Sequence, residues 1–461
     1  MNNNRQKGII LIILLLAAIL SPLDFYIVNL ALSPIQKGLK ATSGQLQMIV
    51  SFYTCAYAVF QITAGRLGDL VGRKQMFLTG LMSFILSSAI CGWADRPNVI
   101  ITGRILQGIS GAAMAPQILA IIHITFNEKE KTKVMALYSF TFGMAAVLGQ
   151  YLGGILISHN IFGLGWRIIF LMNIPLGLAG WIGGLYLLPR MSKTSGEYID
   201  IVGMVLLSLS LGLFVYPLTT IAEKGFNNQT GLMLLSGILL LFIFITYEKK
   251  MMRTGKTPLV DMNLFKYKNL TLGSIIAFLF YSSGIFYLAL SIYLQSGRGW
   301  DALEAGSAII PFGFAFLTSS LLSPVFVNKI GNYLLAAGIF FKALGLGCII
   351  YSLSLANPTS YLFIAGLVIA GTGMGFTLSS LVRISLKDIP FNYSGLASGI
   401  VNCALQIGSA IGVAAIGSVF FSLCGSGNYT YAFQVSLMIV VMLLIIAFFI
   451  AIPLAGRNEK I

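Results

Sequence analysis

Two ionisable residues of opposite sign sit where their neighbours make charge expensive. Asp24 lies in an apolar run, residues 8–33, that holds no other charged side chain, and Arg104 lies in the run 97–126. An ionised carboxylate away from water is costly unless a cation or hydrogen-bond donors meet it. An acid so placed gains and loses a proton as its surroundings change, which is what a proton carrier needs. The other reading of Asp24 is a satisfied polar residue in a helix contact. At about 1.5 Å per helical residue, Asp24 and Arg104 lie at depths that match to within about a turn. They are therefore expected to face one cavity, directly or through water, unless Arg104 snorkels to the outer edge of the apolar layer. Lys342 is a third charge deep in an apolar run. It either binds an anionic group or snorkels. No other carboxylate falls well inside such a run.

Amides and aromatics at comparable depth are candidates to line a cavity. They are Tyr26 and Asn29 in the first run; Gln107, Met114 and Gln117 in the fourth; Gln150 in the fifth; Tyr281 and Tyr287 in the ninth; and Asn402 and Gln406 in the thirteenth. Gln107, Met114 and Gln117 fall at i, i+7 and i+10, one stripe of a helix. Buried amides also serve as glue between helices, and aromatic stripes serve packing. No nucleophile constellation or Cys/His cluster accompanies them, so neither an enzyme nor a metal site is expected.

The elements that must position these residues follow from composition. The chain has 461 residues, of which 57% are hydrophobic and 9% charged. An ordinary soluble domain is roughly 25% charged, so lipid is the natural solvent here. Fourteen apolar runs of spanning length can be read, at 8–33, 45–68, 75–94, 97–126, 134–158, 167–189, 200–222, 229–247, 270–295, 303–327, 333–355, 359–381, 396–422 and 430–454. The first is read as a span rather than a cleaved leader. The net charge of +15 comes from loops. With the N-terminus inside, most of the 29 Lys and Arg residues fall on one face, including Arg66, Arg73, Lys74, Lys131, Arg190, Lys193, Lys249, Lys250, Lys329, Arg383, Arg457 and Lys460. Positive loops face the cytoplasm. The expectation is a multi-pass protein of the cytoplasmic membrane with both termini cytoplasmic, with no nucleic-acid partner, and monomeric.

Polar connectors at 190–200 and 247–269 bracket the seventh and eighth runs. They suggest a bundle at 1–190, a linker with two inserted helices at 191–250, and a second bundle at 251–461. An echo supports two related halves: Asp69-Leu-Val-Gly72-Arg73-Lys74 follows the second run, and Asn328-Lys-Ile-Gly331-Asn332-Tyr333 follows the tenth.

The segment Gly65-Arg-Leu-Gly-Asp69-Leu-Val-Gly72-Arg73-Lys74 resembles the cytoplasmic loop signature of the major facilitator superfamily. Arg104-Ile-Leu-Gln107-Gly108-Ile-Ser-Gly111 resembles its fourth-helix motif. Leu23-Asp24-Phe-Tyr26-Ile-Val-Asn29 and Trp166-Arg167-Ile-Ile-Phe-Leu-Met-Asn173-Ile-Pro175 look like the fourteen-helix drug:proton antiporter branch. Three positions depart from the pattern: Leu70 replaces a basic residue, Tyr26 a threonine, and Gln150 the proline of the fifth-helix motif. The resemblance implies an all-α integral membrane protein of the major facilitator fold, with 14 transmembrane helices as two six-helix bundles plus an inserted two-helix hairpin. It implies proton coupling through Asp24 and Arg104, and a gate loop of Gly65, Asp69, Gly72 and Arg73. It further implies export of amphipathic or cationic organic compounds by alternating access. The proton gradient would be the energy source and no cofactor is expected; no nucleotide-binding P-loop is present. A proton-coupled carrier of an amino acid or similar metabolite is the alternative, and a non-transporting scaffold or receptor a distant one.

Overall fold

A computed structural model describes residues 3–189, 200–256, 258–355, 361–390, 393–425 and 427–455. The connector residues Arg190 and Lys193, the start of the expected linker, and Arg457 and Lys460 lie outside them. The described chain is helical because hydrocarbon offers no hydrogen bonds, and only a helix satisfies its own backbone within one segment. The helices are α1 Asn3–Leu39, α2 Ser43–Val71, α3 Arg73–Gly92, α4 Pro97–Thr125 and α5 Glu128–Ser158. Then come α6 Gly165–Leu187, α7 Ile201–Lys224, α8 Asn228–Arg253, α9 Lys268–Gly297 and α10 Ala302–Ile330. The last four are α11 Tyr333–Leu353, α12 Tyr361–Ser385, α13 Ser394–Cys424 and α14 Tyr429–Ala455. Thirteen are long and apolar enough to cross a membrane, or 14 counting α2, which bends by 54° between Gln61 and Thr63.

Short polar loops set the boundaries. Capping boxes start three helices, with Thr42 and Gln45 at α2, Asn127 and Glu130 at α5, and Asp301 and Glu304 at α10. Each satisfies backbone donors that the first turn leaves free. Gly72 and Gly331, the two glycines of the internal echo, end α2 and α10 with φ of 106° and 57°. That region is cheap only without a Cβ.

Packing repeats between the halves. In the first, α1 packs on α4, α5 and α6, α2 on α4, and α3 on α4 and α6. In the second, α9 packs on α12, α13 and α14, α10 on α12, and α11 on α12 and α14. Every pairing has its counterpart eight helices later. The halves meet through α1 with α9, α2 with α13 and α5 with α10. The hairpin of α7 and α8 stands to one side, with α7 against α2 and α13. Its second helix runs to Arg253, past the expected end of the apolar run at 247.

Candidate functional site

Asp24 and Arg104 are in direct contact as an ion pair, and both are buried, at 0% and 1% exposure. Arg104 does not snorkel. The pair is also not open to a cavity, contrary to expectation. Pro22 sits just before the acid in α1. Around the acid, Gln107 Nε2 and Asn173 Nδ2 both donate to Asp24 Oδ1, at 3.2 and 3.0 Å. The same two amides donate to Ser88 Oγ, at 2.8 and 3.3 Å. Arg104 also donates to Gln107 Oε1 and the Ile49 carbonyl, at 2.9 and 3.1 Å, and its guanidinium lies 4.0 Å from the Tyr53 ring centroid. A buried charge pair holds only when its other lone pairs and protons are also met. Here α1, α2, α3, α4 and α6 all contribute.

A cavity of about 1370 Å³ lies instead between the halves, on the face that carries the basic loops. Tyr57, Tyr138, Phe142, Tyr281 and Phe316 supply aromatic wall, and Gln61, Asn402 and Gln406 supply amides. At its mouth are Gly65, Arg66, Asp69, Arg73, Asn328 and Arg383. Asp69 is the one carboxylate among the described lining residues, and it is paired with Arg73 at 2.6 Å.

The opposite face is sealed. The rings of Tyr26 and Tyr287 meet at 5.1 Å, Gln295 Nε2 donates to the Leu30 carbonyl at 2.9 Å, and the Ser33 and Ser296 hydroxyls lie 3.1 Å apart. The Leu303 amide donates to Ser158 Oγ at 2.9 Å. Glycines bring α5 and α10 close: a Cβ on Gly154 would lie 2.8 Å from the Ala302 carbonyl oxygen.

Of the expected cavity residues, the structure brings Tyr281, Asn402 and Gln406 to the cavity, with Gly65, Asp69 and Arg73 of the gate loop at its mouth; Gly72 supplies the turn behind them. The rest lie elsewhere in this conformation. Gln107 belongs to the ion-pair network. Met114 packs under Gly80 and Gln117 donates to the Ala64 carbonyl at 2.7 Å, so their stripe faces α2 and α3. Asn29 bonds back to the Phe25 carbonyl in its own helix, at 2.8 Å. Gln150 donates to the Tyr26 carbonyl at 3.0 Å, which ties α5 to α1 where the family motif has proline. Tyr26 and Tyr287 form the seal. Lys342 neither reaches the cavity nor snorkels; its Nζ bonds Ser283 Oγ at 2.5 Å and lies 3.9 Å from the Phe280 ring centroid, within the second half.

Sequence reasoning missed three members of the acid's environment, Ser88, Tyr53 and Asn173. Asn173 carried a signal, as an amide in the apolar sixth run. It also missed Glu248, which is fully buried, because the apolar run ends one residue earlier while the helix continues.

Two pseudo-symmetric helical halves closed on one face and open through a cavity on the other define a polytopic membrane transporter. The chain belongs to the Major Facilitator Superfamily, whose sequence profile matches residues 14–413. It is 33% identical over 419 residues to a probable actinorhodin transporter of Streptomyces coelicolor, covering 90% of this chain and 72% of that one. It is 30% identical over 420 residues to the multidrug resistance protein Stp of Mycobacterium tuberculosis, covering 90% and 76%. In fold it is similar to an inward-facing, unoccupied bacterial homologue of the human lysosomal transporter Spinster, with a TM-score of 0.69 over 99% of both chains at 14% identity.

Proposed function

We propose that the protein exports amphipathic, largely aromatic organic compounds across the cytoplasmic membrane, coupled to proton entry through Asp24. The basic face then lies in the cytoplasm, following the positive-inside rule, and the cavity is open to the compartment from which cargo is taken. The observation that carries this reading is the separation of a large aromatic and amide-lined cavity from a sealed, paired carboxylate. Flat apolar walls accept many aromatic compounds. Of amphipathic and cationic cargo, the walls favour the amphipathic, because Asp69, the one carboxylate among the described lining residues, is already paired and Arg66, Arg73 and Arg383 stand at the mouth. The relatives that transport or resist antibiotics support the same class of cargo.

Coupling follows from what the acid holds together. Protonating Asp24 removes the counter-ion of Arg104 and loosens α1 from α4 and α6. Tyr26, Leu30 and Ser33, which close the opposite face against α9, are on that same helix. The acid's proton and the seal are thus linked through α1, which is how one ligand biases a two-state element. The experiment is transport into proteoliposomes of a panel of neutral, anionic and cationic aromatic compounds. Wild type is expected to accumulate neutral and anionic compounds under a pH gradient, and Asp24→Asn to retain counterflow but lose gradient-driven accumulation. Equal gradient-driven transport by Asp24→Asn sinks the coupling role. Flux of amino acids without any aromatic compound would favour the metabolite carrier, for which Asn402 and Gln406 on the wall are the supporting groups.

A further inference from the structure

Asp200 and Glu248 are both buried, at 1% and 0% exposure, where α7 begins and α8 ends. They converge on one point: Asp200 Oδ2 and Glu248 Oε1 each lie 2.5 Å from where a Cβ on Gly203 would sit. Donors meet the other oxygens. The Gly203 amide and the Tyr247 hydroxyl donate to Asp200 Oδ1, at 2.8 and 3.1 Å, and the Leu259 amide donates to Asp200 Oδ2 at 3.3 Å. The Val260 amide donates to Glu248 Oε2 at 2.9 Å. Glu248 Oε1 has no donor, although it is buried and aimed at a carboxylate. Two ionised carboxylates cannot satisfy each other, whereas one proton between them supplies the missing donor.

The charged groups around the pair are turned to other work. Arg66 on α2 donates to the Pro258 carbonyl at 2.7 Å. Asp261 accepts from the Asn263 amide at 2.9 Å. On α8 and just after it, Lys249, Lys250, Arg253 and Lys256 are exposed. Among the described residues neither carboxyl joins an ion pair. The site is rich in donors and short of acceptors for a metal ion, so its fitting ligand is a proton.

We propose that Asp200 and Glu248 hold one proton between them, and that this second proton-binding site latches residues 258–260 against the hairpin and the end of α2. The segment is held at both of its edges. Leu259 and Val260 are bound by the two carboxyls, and Pro258 is bound by Arg66, which lines the cavity mouth. When the proton leaves to the water on the basic face, two like charges in contact push the latch open. The hairpin is then freed from the α2 end of the gate. The device reads pH on the basic face and does not depend on Asp24 or on which cargo is carried.

Hydrogen exchange of the Leu259 and Val260 amides, followed by mass spectrometry on the full-length protein, tests this. If opening releases one proton, exchange in wild type rises about tenfold per pH unit beyond its ordinary pH dependence across part of the range from about pH 5 to 9. Glu248→Gln carries a permanent donor toward Asp200 and removes that extra slope, as does Asp200→Asn, while Asp24→Asn keeps it. Wild-type protection that follows only the ordinary pH dependence overturns the proposal without any variant. An extra slope that survives in a folded Glu248→Gln or Asp200→Asn protein also overturns it.

Discussion

Gln295 reaches from a π-helical turn of α9, Tyr293–Gly297, to the Leu30 carbonyl of α1, 2.9 Å away. The extra residue of such a turn re-aims side chains. Here Gln295 and its neighbour Ser296 both point across the junction between halves. The contact bridges the two halves on the closed face, opposite the basic loops. Gln295→Ala is expected to weaken the closed state by about 1 kcal/mol, roughly a fivefold shift in the ratio of the two conformations. Distances between spin labels on the loops of that face would show a larger open fraction. An unchanged distribution would mean the bond contributes nothing to closure.

The buried ion pair predicts non-additive stability. Removing one partner leaves the other charge in an apolar setting, at about 3–5 kcal/mol. Asp24→Asn and Arg104→Gln should each lower thermal stability, and the double variant should lose clearly less than the sum. Additive losses would mean the two side chains do not depend on each other.

Close packing in the second half predicts a contrast between two glycines of α11. A Cβ on Gly345 would lie 2.5 Å from the Gly366 carbonyl oxygen, whereas at Gly347 there is open space within 4 Å. Gly345→Ala forces α11 from α12 and should destabilise by about 1–3 kcal/mol. Gly347→Ala should be neutral or gain up to about 1 kcal/mol from helix propensity. Unfolding in mixed micelles separates the two.

At the basic face, Lys7 donates to Glu130 at 2.8 Å and joins the starts of α1 and α5. That hydrogen bond, ahead of the one to Asn127, holds the Glu130 carboxyl below its usual range. The contribution is therefore present at neutral pH and lost as pH falls through the lowered value. Glu130→Gln keeps the capping box and loses only the charge, so it should abolish this acid sensitivity with little other effect. Glu130→Ala should also fray α5. Exchange of the first-turn amides of α5 against pH reads both.

How much of this was written in the sequence depends on what each feature answers to. The helices were legible because hydrocarbon imposes one solution on every apolar run. Asp24 with Arg104 was legible because depth can be counted along two helices. Gln107 was visible but assigned to cargo, although its place one turn beyond Arg104 puts it on the arginine's face. The cavity wall was mostly illegible. Tyr57, Tyr138 and Phe316 line it only because of how α2, α5 and α10 are rotated, and Met114 and Gln117 form a true stripe that faces the neighbouring helices instead. Glu248 was hidden because hydropathy ends before the helix does.

The hairpin gives an otherwise two-fold molecule a front and a back. Where α2 meets α13, α7 lies across the junction; where α5 meets α10, the hairpin makes no comparable contact. A compound dissolved in the bilayer thus finds one flank screened by an extra layer of protein and one flank bare. Seen from the bilayer, the protein therefore presents two unlike flanks, one layered and one bare.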